Sequence, residues 1–413
     1  MSERIQAPRG TYDVLGDDAL ARDRLVETAR RVLEPAGYAR IETPTFEATE
    51  LFARGVGEST DVVQKEMYTF DDGGGGSVTL RPEGTAPVCR AYLEHGMHKL
   101  PQPVKLWYLS SFFRRERPQQ GRFRQFWQIG AEAIGSDDPA VDAESILLLA
   151  EILEAIGARG LRLRLASLGR PASRAAYRAE LTAHLRANQD RLSPEVRERI
   201  DLNPLRAFDA DHPGTREVME GAPRLLDFLA DDDHEHFEAV KALLDAAGVV
   251  YEPDSTLVRG LDYYTRTVFE YTSDALGAQS GVGGGGRYDG LMEQIGGAPA
   301  PGMGWAAGVE RMLLASPPQP VAPPPVDLYV AYAKPEHRAA AFRLAADARR
   351  AGHASRLELA GRSLKGQLKQ AGRAGARYVA ILGDEGTSLK DMETGEQKTV
   401  EPDAVMHHIR GTL

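Results

Sequence analysis

FRRERPQQGRFRQFWQIGAE, residues 113–132, is the stretch on which the reading of this chain turns. It sets Arg114, Arg115, Arg117, Arg122 and Arg124 beside Glu116 and Glu132, with Phe113, Phe123, Phe126 and Trp127 interleaved. Pro118 and Gly121 mark a turn at its centre. The flanks, KLWYLSSFF and RQFWQIGAEAI, hold the aromatic and branched residues that strands favour, so the unit reads as a β-hairpin. Guanidinium forks beside flat rings suit the clamping of phosphates while a ring stacks on a base. A solvated basic loop is the competing reading of such a charge run.

Around this hairpin lie 413 residues, too many for one ordinary core, so two or three domains are expected. With 42% hydrophobic and 27% charged residues the composition is that of globular material. A single cysteine, Cys89, excludes a disulfide framework and a cysteine-based zinc site; it reads as a small buried hydrophobe. The opening MSERIQAPRG lacks the apolar core of a signal peptide, and no apolar run is long enough to span a membrane, so the cytoplasm is the expectation. A net charge of −10 argues against indiscriminate coating of nucleic acid, yet leaves room for a folded one on a local basic surface.

Helical spacing runs from Asp17 to Gly37, followed by a strand broken at Pro44 and a second helix. MYTF and VTLR flank Gly73–Gly76 as a hairpin with a flexible tip. Residues 169–250, rich in Ala, Arg, Glu and Asp, read as a helical insertion between two parts of a catalytic domain, 1–168 and 251–316. The insertion's DDDHEH, Asp231–His236, reads as a solvated acidic loop, with a metal site as the alternative. GAQSGVGGGGRYDG reads as a glycine-rich loop whose backbone can approach a ligand, and GMGWAAG as a glycine turn feeding a helix. Gly281, Gly283 and Gly286 satisfy G-x-G-x-x-G, but no ribose-binding acid follows and no βαβ unit opens, so a dinucleotide site is rejected; no P-loop is present. A proline-rich linker, residues 317–325, precedes an alternation of strand and helix over 326–413 that describes a small α/β domain.

FRRE followed by RFRQF resembles the second signature of class II aminoacyl-tRNA synthetases, through Phe113, Arg114, Glu116, Arg122 and Phe126. GMGWAAGVERMLL, with Glu310 and Arg311, resembles the third signature, and GYARIETPTFE, with Pro44, the first. LVRGLDYYTRTVFE, residues 257–270, and TLRPEGT, residues 79–85, look like blocks of the histidyl-tRNA synthetase family. The resemblance spans nearly the whole chain. It implies an α+β fold: a class II six-stranded antiparallel sheet flanked by helices, a helical insertion, and a C-terminal α/β anticodon-binding domain. It also implies activation of L-histidine with ATP to histidyl-adenylate and pyrophosphate, then transfer to the 3′ end of tRNA(His).

Carried over residue by residue, the resemblance assigns Arg114 to the α-phosphate and Arg122 and Arg311 to the outer phosphates. Phe126 would stack on adenine, and Glu116 would meet its amino group. Arg259 would reach the α-phosphate from the opposite side and contact the substrate carboxylate; with Arg114 it is the expected catalytic pair. Glu132 and Tyr264 would meet the imidazole nitrogens, with Tyr263 in a lesser role because alternation turns one of two neighbours away. Glu83, Thr85 and Gln128 would hold the α-ammonium group, and the segment before Arg287 and Tyr288 would line the pocket. Gln119 and Gln120, at the hairpin tip, are candidates for the tRNA acceptor end. Mg²⁺ would bridge the outer phosphates, with no metal site of the protein's own and no organic cofactor. A homodimer is implied. Trp127 stands where the family often has histidine. A catalytically silent paralogue that regulates ATP phosphoribosyltransferase is the nearest rival, and the full arginine set and C-terminal domain speak against it.

Overall fold

A computed structural model describes residues 4–57, 60–202, 204–257, 261–277, 280–318 and 325–410. The chain divides into two units, 1–319 and 320–413.

In the first unit, α1 (Asp17–Leu33), β1 (Ala39–Arg40), β2 (Phe46–Ala48) and α2 (Thr49–Val56) lead to the hairpin of β3 (Tyr68–Asp71) and β4 (Ser77–Leu80). Helix α3 (Thr85–Glu94) precedes the long pair β5 (Val104–Phe113) and β6 (Gln125–Ile134). Next come α4 (Pro139–Ala155) and β7 (Leu161–Ser167), then the inserted helices α5 (Pro171–Ala187), α6 (Pro194–Arg199), α7 (Pro213–Glu220) and α8 (Asp231–Ala246). The chain returns through β8 (Glu252–Pro253), β9 (Thr265–Ser273), β10 (Gly281–Arg287), α9 (Leu291–Gln294), β11 (Gly302–Gly308) and α10 (Val309–Ala315).

The strands join in an eight-stranded sheet ordered β1-β5-β6-β11-β10-β9-β7-β8. The inner six are antiparallel throughout, while the two-residue β1 and β8 add in parallel at the edges. One face is covered by α1 and α4, whose Leu25, Leu33, Leu149 and Ile152 pack on Trp107, Phe269 and Trp305. Asp138 starts α4 by accepting from Ala140 N, with Pro139 in the first turn. The other face meets α3 and the insertion through Val88, Tyr92, Tyr177 and Leu181, and also carries Tyr108, Tyr263, Tyr264 and Tyr288. Buried hydroxyls on that face must each find a hydrogen-bond partner.

Three local expectations are corrected. Residues 281–287 are a central strand, β10, paired on both sides, instead of a loop. A Cβ at Gly285 would stand 1.9 Å from Gly304 O, and one at Gly283 would stand 2.6 Å from Ala307 Cβ. The neighbouring backbone comes too near for side chains, and this overrides the usual cost of glycine in a strand. GMGWAAG is likewise strand β11, leading into α10, instead of a turn. DDDHEH opens helix α8 instead of forming a solvated loop, and its Asp233 is fully buried. That carboxylate accepts from Arg170 N (2.8 Å), Ser173 Oγ (3.0 Å) and Arg266 Nε (2.9 Å), so it ties the insertion to β9. Arg266 takes φ 44°, a left-handed conformation costly for a side-chain-bearing residue.

The second unit contains β12 (Val326–Tyr332), α11 (Arg338–Arg350), β13 (Ser355–Leu357), α12 (Leu364–Arg373), β14 (Ala376–Gly383), β15 (Gly386–Asp391), β16 (Gln397–Val400) and α13 (Val405–Arg410). Its sheet runs β13-β12-β14-β15-β16, parallel across the first three and antiparallel beyond. The β15–β16 hairpin is an addition to the strand–helix alternation expected there. Most of the proline-rich linker, residues 319–324, lies outside the described residues. Among the described residues no helix is long and apolar enough to cross a membrane.

Candidate active site

β5 and β6 carry the arginine-rich turn beyond the sheet, and reciprocal bonds between Gln119 and Arg122 close its tip. Gly121 there adopts φ 71°, as a tight turn requires. Arg114 is held at its base: its amide donates to Arg124 O (3.0 Å) and its Nε to Pro82 O (2.9 Å). The Arg114 guanidinium lies 5.4 Å from the Phe126 ring centroid. Glu116 sits between cations, 3.2 Å from Arg122 Nη1 and 3.8 Å from Arg114 Nη1.

Arg311 reaches this cluster from α10. A Cβ at Gly121 would lie 3.5 Å from its Cγ, and one at Gly281 would lie 4.0 Å from its Nη1. Arg311 therefore lies between the hairpin tip and β10. Burial, with the Arg122 guanidinium adding to it, pushes its pKa below the ordinary arginine value. Two cations so close favour an anionic ligand. Glu310, the residue before it, faces the other way and accepts from Tyr12 Oη (2.9 Å), Arg22 Nη2 (2.9 Å) and Trp127 N (3.1 Å). It fastens the N-terminal segment and α1 beneath the hairpin, and Arg22 lies over the Trp127 ring at 4.8 Å.

A second cluster adjoins the first through Pro82 and Glu83. Glu83 lies just before α3 and accepts from the amides of Thr85 (2.7 Å) and Ala86 (3.0 Å), satisfying two free helix N–H groups. Thr85 Oγ1 then donates to Glu132 Oε1 at 2.8 Å. Glu132, fully buried on β6, also receives Tyr108 Oη at 3.4 Å and Tyr288 Oη at 2.7 Å. Burial pushes the Glu132 carboxyl up to about 8 and that of Glu83 to about 7. Gln128, on the same strand, has its Oε1 buried without a hydrogen-bond partner among the described residues, an acceptor left for something else.

Tyr263 and Tyr264 precede β9, where strand alternation does not operate. Both are buried, their rings 4.7 Å apart, so the expectation that one turns away does not hold. Arg287, at the end of the glycine segment expected to line the pocket, is locked on Asp142, with Asp289 (3.2 Å) and Ser136 O (3.0 Å). Consecutive strand residues face opposite ways, which separates it from the pocket. Arg259 lies outside the described residues. Gln119 and Gln120 are exposed at the tip. The structure thus brings Arg114, Glu116, Arg122, Phe126 and Arg311 into one cluster beside Glu83, Thr85, Gln128, Glu132, Tyr263 and Tyr264.

Two contributors escaped the sequence reading. Tyr108 is one apolar-looking residue in a strand, and Arg81 one arginine among many. Arg81 is buried and donates to Ser111 O (2.8 Å) and Thr43 O (2.6 Å), pinning the loop that carries Glu83 to β5. Its place directly before PEGT was the available signal.

A family model described as histidyl-tRNA synthetase matches residues 10–312, and one described as an anticodon binding domain matches residues 327–412. A histidine–tRNA ligase of Halothermothrix orenii is 46% identical over 401 residues, covering 95% of this chain and 96% of the relative. Another, of Streptomyces avermitilis, is 46% identical over 418 residues, with 99% of each covered. The crystal structure of apo S. aureus histidyl-tRNA synthetase superposes with a TM-score of 0.82 at 36% identity, covering 98% of this chain and 100% of that one.

Proposed function

The chain belongs to the histidyl-tRNA synthetase family, and from that membership we propose how its residues share the work of the site. The activity is the ligation of histidine to tRNA in two steps. A carboxylate oxygen of histidine attacks the α-phosphorus of ATP and pyrophosphate leaves; a ribose hydroxyl at the 3′ end of tRNA then attacks the acyl carbon and AMP leaves. Neither step asks for covalent work by the protein, which must place the partners and meet the charge that develops.

Arg114 holds the α-phosphate, and Arg122 with Arg311 the bent outer phosphates. Phe126 stacks on adenine, and Glu116 turns from Arg122 to the adenine amino group when the triphosphate takes the arginine. Arg259 completes the phosphate and carboxylate contacts. ATP enters as its magnesium complex; the ion's hard-oxygen preference is met by the phosphates. The carboxylates beside the cluster, Glu116 and Glu270, are each already engaged by an arginine, Glu116 by Arg122 and Glu270 by Arg164.

In the second cluster the orphaned Gln128 Oε1, with Glu83 and Thr85, receives the α-ammonium group. Glu132 and Tyr264 take the imidazole, with Tyr263 beside them. A wrong amino acid leaves these buried groups unpaired, which discriminates by a factor on the order of 10⁴ without editing. Gln119 and Gln120 contact the acceptor end, and residues 326–413 contact the anticodon. We also propose a homodimer working in the cytoplasm.

The observation that carries this reading is the junction at Pro82–Glu83, where the arginine cluster and the carboxylate pocket meet. Exchange of labelled pyrophosphate into ATP, with all twenty amino acids offered singly, is the test. Exchange with histidine alone is expected. No exchange with any amino acid would assign the chain to the silent paralogue, and exchange with another amino acid would refute the pocket.

A further inference from the structure

Glu132 is a buried carboxylate held by hydroxyls. Among the described residues its hydrogen-bond donors are Thr85, Tyr108 and Tyr288, and no cation pairs with it. An ionised carboxylate offers about four lone-pair sites. Thr85 and Tyr108 use both sites of Oε1, and Tyr288 uses one of Oε2. One site of Oε2 remains. We propose that Tyr288 is a positioning residue for histidine selection: by occupying one lone pair of Glu132 Oε2 it directs the other at the imidazole N–H. The inference rests on the reading above that Glu132 receives the ring.

Tyr288 has little freedom to do anything else. Its amide donates to Gly302 O at 2.8 Å. Its ring lies where a Cβ at Gly302 would come within 2.1 Å, and it packs edge-on against Tyr263 at 6.0 Å. Its hydroxyl therefore reaches Oε2 along one direction. The partner is equally fixed, because a Cβ at Gly304 would fall 1.8 Å from the same Oε2. Glycines at 302 and 304 thus hollow out seats for the two ends of one hydrogen bond.

The bond also bears on the carboxyl's proton. Among the described residues, the titratable groups that act on Glu132 are Glu83 before α3, the Cys89 thiol on α3, Tyr38, Tyr108 on β5, Tyr263 and Tyr288; Tyr264 adjoins Tyr108 and Tyr263, and Arg114 acts on Glu83. Burial raises the Glu132 pKa, and the Tyr288 hydrogen bond is the foremost influence drawing it down. A protonated carboxyl gives one of those lone-pair sites to its own hydrogen, so only the ionised form can accept from the three hydroxyls and the ring N–H together. Removing the Tyr288 donor therefore moves the loss of histidine recognition, as pH falls, to higher pH.

The experiment is Tyr288→Phe, a near-isosteric change, assayed by pyrophosphate exchange from about pH 6 to 9 beside Tyr108→Phe and Glu132→Gln. Tyr288→Phe is expected to raise the KM for histidine about tenfold, to shift the acid limb of kcat/KM for histidine upward, and to leave the KM for ATP unchanged. Tyr108→Phe, which removes the longer bond, is expected to do less. An unchanged KM and limb in Tyr288→Phe, with a large effect in Glu132→Gln, would overturn the inference and leave Glu132 in its place. A raised KM with an unmoved limb would reduce Tyr288 to packing and overturn it too, as would an equal or larger effect of Tyr108→Phe. No effect of Glu132→Gln would instead remove the carboxylate from the pocket.

Discussion

Gly304→Ala adds one methyl group to β11 and puts the geometry of the histidine pocket to a quantitative test. The new Cβ would lie 1.8 Å from Glu132 Oε2, 2.6 Å from its Cδ and 2.8 Å from Ala131 O. Nonbonded carbon and oxygen need roughly 3.4 Å, so the carboxylate must retreat by about 1.5 Å or the strands must part. The carboxylate is the softer element, but its retreat breaks the bonds from Tyr288 (2.7 Å) and Thr85 (2.8 Å). Each buried hydrogen bond left unmade costs about 1–3 kcal/mol, and overpacking alone costs about 1–3 kcal/mol. A loss of about 2–5 kcal/mol is expected, divided between stability and recognition. Since about 1.4 kcal/mol is a factor of ten in affinity, an even division puts about 1–2.5 kcal/mol on recognition, so the KM for histidine should rise by about 5- to 60-fold, with the KM for ATP within about twofold of the parent. Pyrophosphate exchange measures both, and urea unfolding followed by circular dichroism records the stability share. Gly308→Ala is the control: its Cβ meets nothing closer than Arg311 Cδ at 3.6 Å, so histidine recognition should be unaffected. A folded Gly304→Ala enzyme with the parent's histidine KM would refute the placement of Glu132.

Arg259→Ala should keep its far-ultraviolet spectrum while histidine activation drops by about 10²–10³, as when one donor to transition-state charge is removed; near-normal exchange would take Arg259 out of the mechanism. Gln128→Ala should raise the KM for histidine about tenfold by removing an acceptor for the ammonium group, and an unchanged KM would reassign that contact. Asp233→Asn should lower stability by about 3 kcal/mol near neutrality, because Arg170 and Arg266 lose their buried partner. Burial opposes the Asp233 charge, but hydrogen bonds from Arg170, Arg266 and Ser173 hold the carboxyl down at about 2. A depressed carboxyl stabilises the fold above its unfolded pKa, near 4, and loses that contribution as pH falls toward 2. The difference between parent and variant in thermal midpoint should therefore narrow from pH 4 to pH 2, and a constant gap would refute the pairing. Sedimentation equilibrium should give twice the chain mass of 45.0 kDa; a monomer would refute the proposed dimer.

The side chains gathered in the candidate site were largely legible from residue type and order. Five arginines around a turn, a glutamate within them and PEGT upstream point to an anionic ligand before any coordinate is known. Their neighbours were less legible. Nothing in KLWYLSSFF marks Tyr108 as a partner for Glu132, because the two meet only through the β5–β6 register, which pairs Tyr108 with Gly130 and Leu106 with Glu132. A Cβ at Gly130 would come within 2.2 Å of the Tyr108 ring, so a glycine 22 positions away gives that ring its seat.

Glycine runs misled for the same reason. Composition assigns GVGGGG to a loop, since propensity scores each residue against its own backbone. Beside β9 and β11 these residues are strand, because two flanking backbones leave no room for a Cβ. The acidic DDDHEH misled likewise: charge alone says solvent, whereas Arg170 and Arg266, 63 and 33 residues away, draw Asp233 inside. The sequence by itself determined which functional groups exist and in what order, because signatures of a few residues are written in local spacing. Tertiary structure alone decided which of them touch, since contacts between strands more than 150 residues apart depend on register and close approach, and no local pattern encodes either.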